Sequence, residues 1–252
     1  MNPQHIEEAA LNAWPALQTN FYDGWLMRTA NRYTKRANSV TPLYAGTLPL
    51  DEKISHVEAF YRNEQQRPIF RLPSFVELDG LDGRLADLGY QKLDLTSVQT
   101  LDLSYCGAIG SDRACILPSY SGMESWLGSF HQLSGDHRSD AETHQRLLEN
   151  IRGETCYMVL MVEGEVVACG LAVESGGLVG IFDVVTAPEH RRKGYGLELM
   201  EALLEWAVNT HAHHAYLQVM LDNQPALTLY KKLRFKELYR YWYRAGDEER
   251  GR

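Results

Sequence analysis

A chain of 252 residues, 44% of them hydrophobic, can bury one large core or two ordinary ones, which excludes a disordered or fibrous protein. Its formal net charge of −8 is not offset by any dense Lys/Arg block, so nucleic acid and anionic membrane are excluded as default partners and a basic substrate is electrostatically easier to attract. The opening Met1 to Glu8 lacks a charged-then-apolar leader, and the longest apolar run, Tyr157 to Val162, is too short to cross a bilayer, so the expected location is cytoplasmic.

Asn2 followed by Pro3 predicts a helix start, with Ile6, Ala9, Ala10 and Ala13 on one face until Trp14-Pro15 stops it. Phe21 to Thr29 and Tyr33 to Arg36 read as two strands joined at Asn31-Arg32. Asp51 is placed to cap a second helix whose Ile54, Val57 and Tyr61 share a side, and Pro68 to Leu72 reads as a strand. Leu85-Ala86-Asp87-Leu88-Gly89-Tyr90 then leads into a strand through Leu103. Cys106, Cys115, Cys156 and Cys169 show no Cys-x-x-Cys spacing and are expected to be free, mostly buried thiols without a catalytic role.

Further on, Trp126, Leu127 and Phe130 predict a short helix, and Ser139 with Glu142 makes a capping-box pattern ahead of Leu147, Leu148 and Ile151. Three strands follow, Thr155 to Val162, Val166 to Glu174 and Leu178 to Thr186, joined by turns at Glu163-Gly164-Glu165 and Ser175-Gly176-Gly177. After the last of them comes Ala187-Pro188-Glu189-His190-Arg191-Arg192-Lys193-Gly194-Tyr195-Gly196, and Leu197, Met200, Leu204 and Val208 then fall at helical spacing.

That loop has the chemistry of an anion site. A helix start exposes unpaired N–H groups and the positive end of the macrodipole. Gly194 and Gly196 lack a Cβ, which lets phosphate oxygens approach the main chain, and Arg191, Arg192 and Lys193 add cationic donors. A P-loop places its Lys after the last Gly and then a hydroxyl residue, whereas Lys193 precedes Gly194. A dinucleotide fingerprint asks for a third small residue where Leu199 stands. Neither ATP nor NAD is favoured.

Arg191, Gly194 and Gly196 match in register the acetyl-coenzyme A signature of the GNAT N-acetyltransferases: Arg or Gln, two residues, Gly, one residue, then Gly or Ala. The order behind it also resembles that superfamily. A strand runs from Ala215 to Met220, Asn223 follows, a helix carries Tyr230 late in its length, and an aromatic strand runs from Phe235 to Tyr243. Arg234 departs from the glycine that many members carry before the aromatic residue. Leu229 to Phe235 also echoes Leu85 to Tyr90, which suggests a faint internal repeat. The resemblance implies an α/β fold with a mixed, largely antiparallel sheet flanked by helices, in two GNAT-like halves in tandem. Residues 1–110 would form a degenerate copy without a basic Gly-x-Gly loop, and residues 111–252 the acetyl-CoA-binding domain.

The same resemblance implies acetyl-CoA as co-substrate and a small-molecule or peptide amine as acceptor. Val184, Val185 and Thr186 would offer backbone groups to the pantetheine, the loop Arg191, Arg192, Lys193, Gly194, Tyr195 and Gly196 would hold the pyrophosphate, and Asn223 would reach the cofactor from the far side. Tyr230 is the proposed acid, since a phenol with a reference pKa of about 10 is protonated at neutral pH. Asp183, a carboxylate in an otherwise apolar strand, is the proposed base, with Glu174 and bulk water as alternatives. His211, His213 and His214 lack nearby Cys or paired carboxylates, so no metal is expected. Phe21, Tyr22 and Trp25 with Arg28, Arg32, Lys35 and Arg36 either line the acceptor pocket or form an aromatic core with cationic edges. A non-catalytic acyl-CoA-binding sensor or interaction module would carry the same loop.

Overall fold

The computed structural model describes residues 1–76, 80–105, 113–117, 122–135 and 141–247. In chain order the elements are α1 (Pro3–Ala13), β1 (Gln18–Tyr22), β2 (Trp25–Thr29), β3 (Val40–Pro42), α2 (Leu50–Asn63), β4 (Ile69–Pro73), α3 (Leu81–Asp87) and β5 (Gln91–Asp102). They continue as β6 (Ala114–Leu117), α4 (Gly122–Ser134), α5 (Ala141–Glu149), β7 (Glu154–Val162), β8 (Glu165–Ser175), β9 (Leu178–Thr186), α6 (Tyr195–Asn209), β10 (His214–Met220), α7 (Gln224–Lys232) and β11 (Lys236–Ala245).

The caps follow local chemistry. The Asn2 side chain accepts from the N–H of Gln4 at 2.9 Å with Pro3 opening α1. Asp51, by contrast, does not cap α2: Pro49 occupies that position, and Asp51 lies in the first turn, where it accepts from Arg84. The first hairpin also differs from expectation. Its turn is Asp23-Gly24, with φ of +41° and +82°, and the segment Tyr33 to Arg36 runs into a short 3₁₀ turn instead of a strand. Ser139 and Cys106 lie outside the described residues.

All eleven strands among the described residues form one sheet in the order β1-β2-β3-β4-β11-β5-β10-β9-β8-β7-β6. Its centre is unusual in sequence terms. β11, the last strand, lies between β4 and β5, and β5, from the first half, lies between β11 and β10; each of these pairings is antiparallel. On either side sits a parallel pair, β3 with β4 and β9 with β10. The turns entering the two central strands match: Tyr90 N–H donates to the Leu85 carbonyl at 2.9 Å, Phe235 N–H to the Tyr230 carbonyl at 3.0 Å. The residues before them, Gly89 and Arg234, both have positive φ, +85° and +67°.

Alternation along the strands sends side chains to two layers. Val159, Leu171 and Phe182 pack with Ile6 of α1, Trp126 of α4 and Leu147 of α5. Their neighbours Met158, Leu160 and Ile181 pack on the other face with Leu199 and Leu203 of α6 and Tyr230 of α7. A third cluster joins Ile54 and Tyr61 of α2 and Leu85 of α3 to Phe70 and Leu72. Glu7 of α1 makes a buried ion pair with Arg71 of β4 and also accepts from the Tyr239 hydroxyl of β11, which ties the first described helix to the last described strand.

Candidate active site

β9 and β10 pair only from Leu178–Ile181 to His214–Leu217. Beyond that point they run apart, so the β10-facing backbone edge of residues 182–186 is left without a strand partner. A bulge accompanies the separation. Cys169 pairs with Val185 and Leu171 with Phe182, so Gly170 of β8 faces both Asp183 and Val184. Asp183 takes φ +48°, a region Asp tolerates better than most residues. The Gly170 carbonyl accepts from the Trp126 indole N–H at 3.1 Å, and a Cβ on Gly170 would come within 2.9 Å of Leu203 on α6. Bulge, glycine and tryptophan together fix the strand as it leaves its neighbour.

The loop at its end is a concave set of donors. Arg192 has φ +61° and Gly194 φ +90°, and between the residues that pair at Arg191 and Leu197 none of the N–H groups of 192–196 meets an acceptor among the described residues. Successive N–H groups in alternating hand converge on an anion. Arg191 folds back to donate its Nε–H to the Thr186 carbonyl at 3.1 Å, which fastens the loop to the strand end. Gly196 lies where a Cβ would stand 3.4 Å from Thr186 Oγ1 and 3.7 Å from Leu229. Arg192 and Lys193 are exposed, and Tyr195 lies 5.2 Å beneath the Arg113 guanidinium. Asn223 caps α7, its side chain accepting from Ala226 N–H at 3.3 Å.

The two candidate proton carriers occupy opposite faces of the sheet. Tyr230 is buried in the cluster that also receives Val184 and Tyr195, and burial raises its hydroxyl to about 12. Asp183 turns the other way, into a cavity of about 740 Å³ that also meets Gln218, Met220 and Tyr241 and takes Arg32, Lys35 and Arg36 from the first half. Of the aromatic and basic cluster singled out in the sequence, Phe21, Tyr22, Trp25 and Arg28 do not line this cavity. Glu174 stands at the far end of the β8–β9 hairpin from Asp183, where its carboxylate accepts from Gly177 N–H at 2.8 Å and closes the turn.

His144 was not legible as a site residue. It is fully buried on α5, its Nε2 3.2 Å from Asp183 Oδ2 and its Nδ1 3.3 Å from His131 Nε2. Trp14, Tyr33 and Phe130 surround the ring at 5.7, 5.0 and 5.3 Å. In sequence it was one polar residue within an amphipathic helix, with no local sign of its distant partner. Among the described residues no group of three or more His, Cys, Asp or Glu side chains gathers as for a metal ion, and no helix is long and apolar enough to cross a membrane.

Comparison with known proteins agrees with this geometry. The family described as Probable histone acetyltransferase Rv0428c C-terminal matches residues 3–244. The Bacillus subtilis Uncharacterized N-acetyltransferase YobR is 30% identical over 244 residues, covering 95% of this chain and 96% of YobR. Probable histone acetyltransferase Rv0428c of Mycobacterium tuberculosis is 25% identical over 215 residues, 85% of this chain and 65% of its own length. In fold, a GCN5-related N-acetyltransferase from Kribbella flavida superposes with a TM-score of 0.73 at 14% identity, over 96% of this chain and 94% of that one. A tandem GNAT protein from the clavulanic acid biosynthesis pathway gives 0.59 at 15% identity, over 83% and 75%. A mixed eleven-stranded sheet with a parted parallel pair, and a match across nearly the whole chain, place this protein in the GNAT superfamily of acetyl-CoA-dependent N-acetyltransferases, in the family of the Rv0428c C-terminal region.

Proposed function

We propose that this chain moves an acetyl group directly from acetyl-CoA, its co-substrate, to an amine held in the cavity at Asp183. The observation that carries the proposal is the parting of β9 from β10 beside five consecutive N–H groups without acceptors. The β10-facing edge of Val184, Val185 and Thr186, apart from the Thr186 carbonyl that already accepts from Arg191, suits an extended chain of amides, because each unpaired backbone group needs a partner. The donors of Arg191, Arg192, Lys193, Gly194, Tyr195 and Gly196 suit a diphosphate. Asn223, with its oxygen committed to α7, retains its amide N–H groups for the cofactor's far side. Residues 1–110 supply the pocket wall and no second cofactor site; residues 111–252 carry the transfer.

Asp183 accepts the amine proton, directly or through water, as the nitrogen attacks. His144 acts as a positioning residue, holding the carboxylate toward the cavity. Tyr230 sits on the opposite face, where its protonated hydroxyl donates a hydrogen bond to the departing sulfur. Burial strengthens its hold on the proton, so complete transfer is favoured only where the same apolar surroundings raise the thiol as well.

Thiol release measured with acetyl-CoA and a panel of amines tests the reading against a binding-only sensor, which would bind acetyl-CoA and release no thiol with any amine. Arg191→Ala is expected to weaken acetyl-CoA binding. Tyr230→Phe is expected to lower turnover about 10²-fold with binding nearly intact. Unchanged turnover would remove Tyr230 from the mechanism, and an acidic limb retained in the pH–rate profile of Asp183→Asn would remove Asp183.

A further inference from the structure

The cavity at Asp183 has a charge opposite to that of the protein. The chain carries −8 overall, yet the lining holds four cations, Arg32, Lys35, Arg36 and Arg67, against two carboxylates, Asp94 and Asp183. Lys35 and Asp94 neutralise each other at 2.6 Å. Arg32 is turned to the Gln65 carbonyl at the rim. Arg36 and Arg67 make no close ion pair among the described residues, although the Asp183 charge and the Tyr241 hydroxyl both act on the Arg36 guanidinium.

Two donors in this lining are buried and unmet. Arg36 stands beside the paired rings of Trp14 and Phe182, its guanidinium carbon 5.7 Å from each ring centre, and its Nε–H has no acceptor. Gln218 accepts from the Tyr241 hydroxyl at 3.0 Å through Oε1, which orients the amide and leaves its buried Nε2 without a partner. Asp183 borders the same cavity, with its Oδ2 buried beside His144 Nε2 at 3.2 Å. Buried donors left unpaired are costly, so a lining that keeps two is shaped for a ligand that supplies acceptors. None of the loop residues 191–196 lines this cavity, so these cations are separate from the diphosphate donors.

Accepting that the site transfers acetyl groups, we infer that its acceptor is a small amine that also carries an acidic group, a carboxylate or a phosphate. The amine faces Asp183 and the anion faces Arg36, Gln218 Nε2 and Arg67. A planar guanidinium pairs well with either oxyanion. A lysine-rich peptide, the acceptor class suggested by the name of the Mycobacterium relative, would bring several positive charges into a lining that already has an excess of them.

The test uses matched amines that differ only in the acidic group: amino acids against their carboxamides, aminoalkyl phosphates against aminoalcohols, with a lysine-rich peptide alongside. Acetylation kinetics and calorimetric binding to the protein saturated with CoA are measured for each. The acidic member is expected to show kcat/KM at least about tenfold higher than its partner, as a charge-assisted contact gives. Arg36→Gln and Arg67→Gln should reduce that preference while leaving KM for acetyl-CoA unchanged, and Arg36→Lys should restore part of it if Arg36→Gln folds poorly. The inference fails if carboxamides, alcohols or the peptide react as well as the acids, if no acidic amine binds, or if the preference persists in both Gln variants. Acetyl-CoA binding, measured in the same samples, shows separately whether the acetyltransferase reading stands.

Discussion

At Arg234 the backbone holds φ +67°, in the left-handed region where a Cβ costs about 1–2 kcal/mol. Gly89 occupies the matching turn of the first half without that cost. The Arg234 side chain is exposed, so nothing it touches offsets the strain. Arg234→Gly is therefore expected to raise unfolding free energy by about 0.5–1 kcal/mol in urea titration, after the greater freedom of glycine in the unfolded chain is subtracted. A loss of stability would show that the side chain contributes something the turn geometry does not reveal. At this scale the sequence was informative wherever chemistry is local. Gly194 and Gly196 announced a donor loop, and Asp183 stood out as a charge in an apolar strand. What could not be read was where Asp183 points, because a bulge against Gly170 sets that, and His144 becomes a site residue only through contacts made across the fold.

At the scale of elements, the loop opening α2 has the same place in order as the donor loop opening α6, between a parallel pair of strands. There the N–H groups are already occupied. Asp23 accepts from Thr47 N–H at 2.9 Å and Leu48 N–H at 3.0 Å, with Lys53 at 3.1 Å beside it. A phosphate arriving at this loop would meet a carboxylate instead of free donors. The Leu48 and Thr47 N–H groups hold the Asp23 carboxyl well below the usual carboxylate range. The stability this supplies is present in full above pH about 4, the unfolded value, and is lost as pH falls below it toward the folded value. The stability gap between the native chain and Asp23→Asn should therefore shrink between pH 6 and pH 3 in denaturant titrations. A gap that stays constant would mean the carboxylate charge is not what closes the loop. The same residue explains the misplaced hairpin: Asp23-Gly24 and Asn31-Arg32 are both positive-φ pairs, but Asp-Gly is the favoured two-residue hairpin turn, and the bonds that the Asp23 carboxylate accepts from the distant loop hold it there.

Over the whole molecule, the repeat visible in Leu85–Tyr90 and Leu229–Phe235 becomes a pair of equivalent turns feeding antiparallel neighbours at the centre of one sheet. Two halves in order were legible from periodicity and turn residues; their interlocking was not, because strand order depends on pairings with no local signature. The expected boundary near residue 110 falls outside the described residues, but the sheet predicts how pieces cut there behave. Residues 111–252 alone would leave β10 and β11 without β5, and residues 1–110 alone would leave β4 and β5 without β11. Each is expected to be insoluble or unfolded when expressed singly, and the two together to reconstitute a cooperative thermal transition; an independently folded, acetyl-CoA-binding 111–252 fragment would contradict this. The buried Glu7–Arg71 pair and its Tyr239 contact add to the interlock.

The central position of β11 also sets a timetable for synthesis. β11, made after every other described strand, is the one that seals the middle of the sheet, so during translation β4 and β5 wait with open hydrogen-bonding edges until β11 has left the ribosome. A nascent chain of this protein stays vulnerable to mispairing from the making of β4 until that of β11, and the middle of its sheet closes only then.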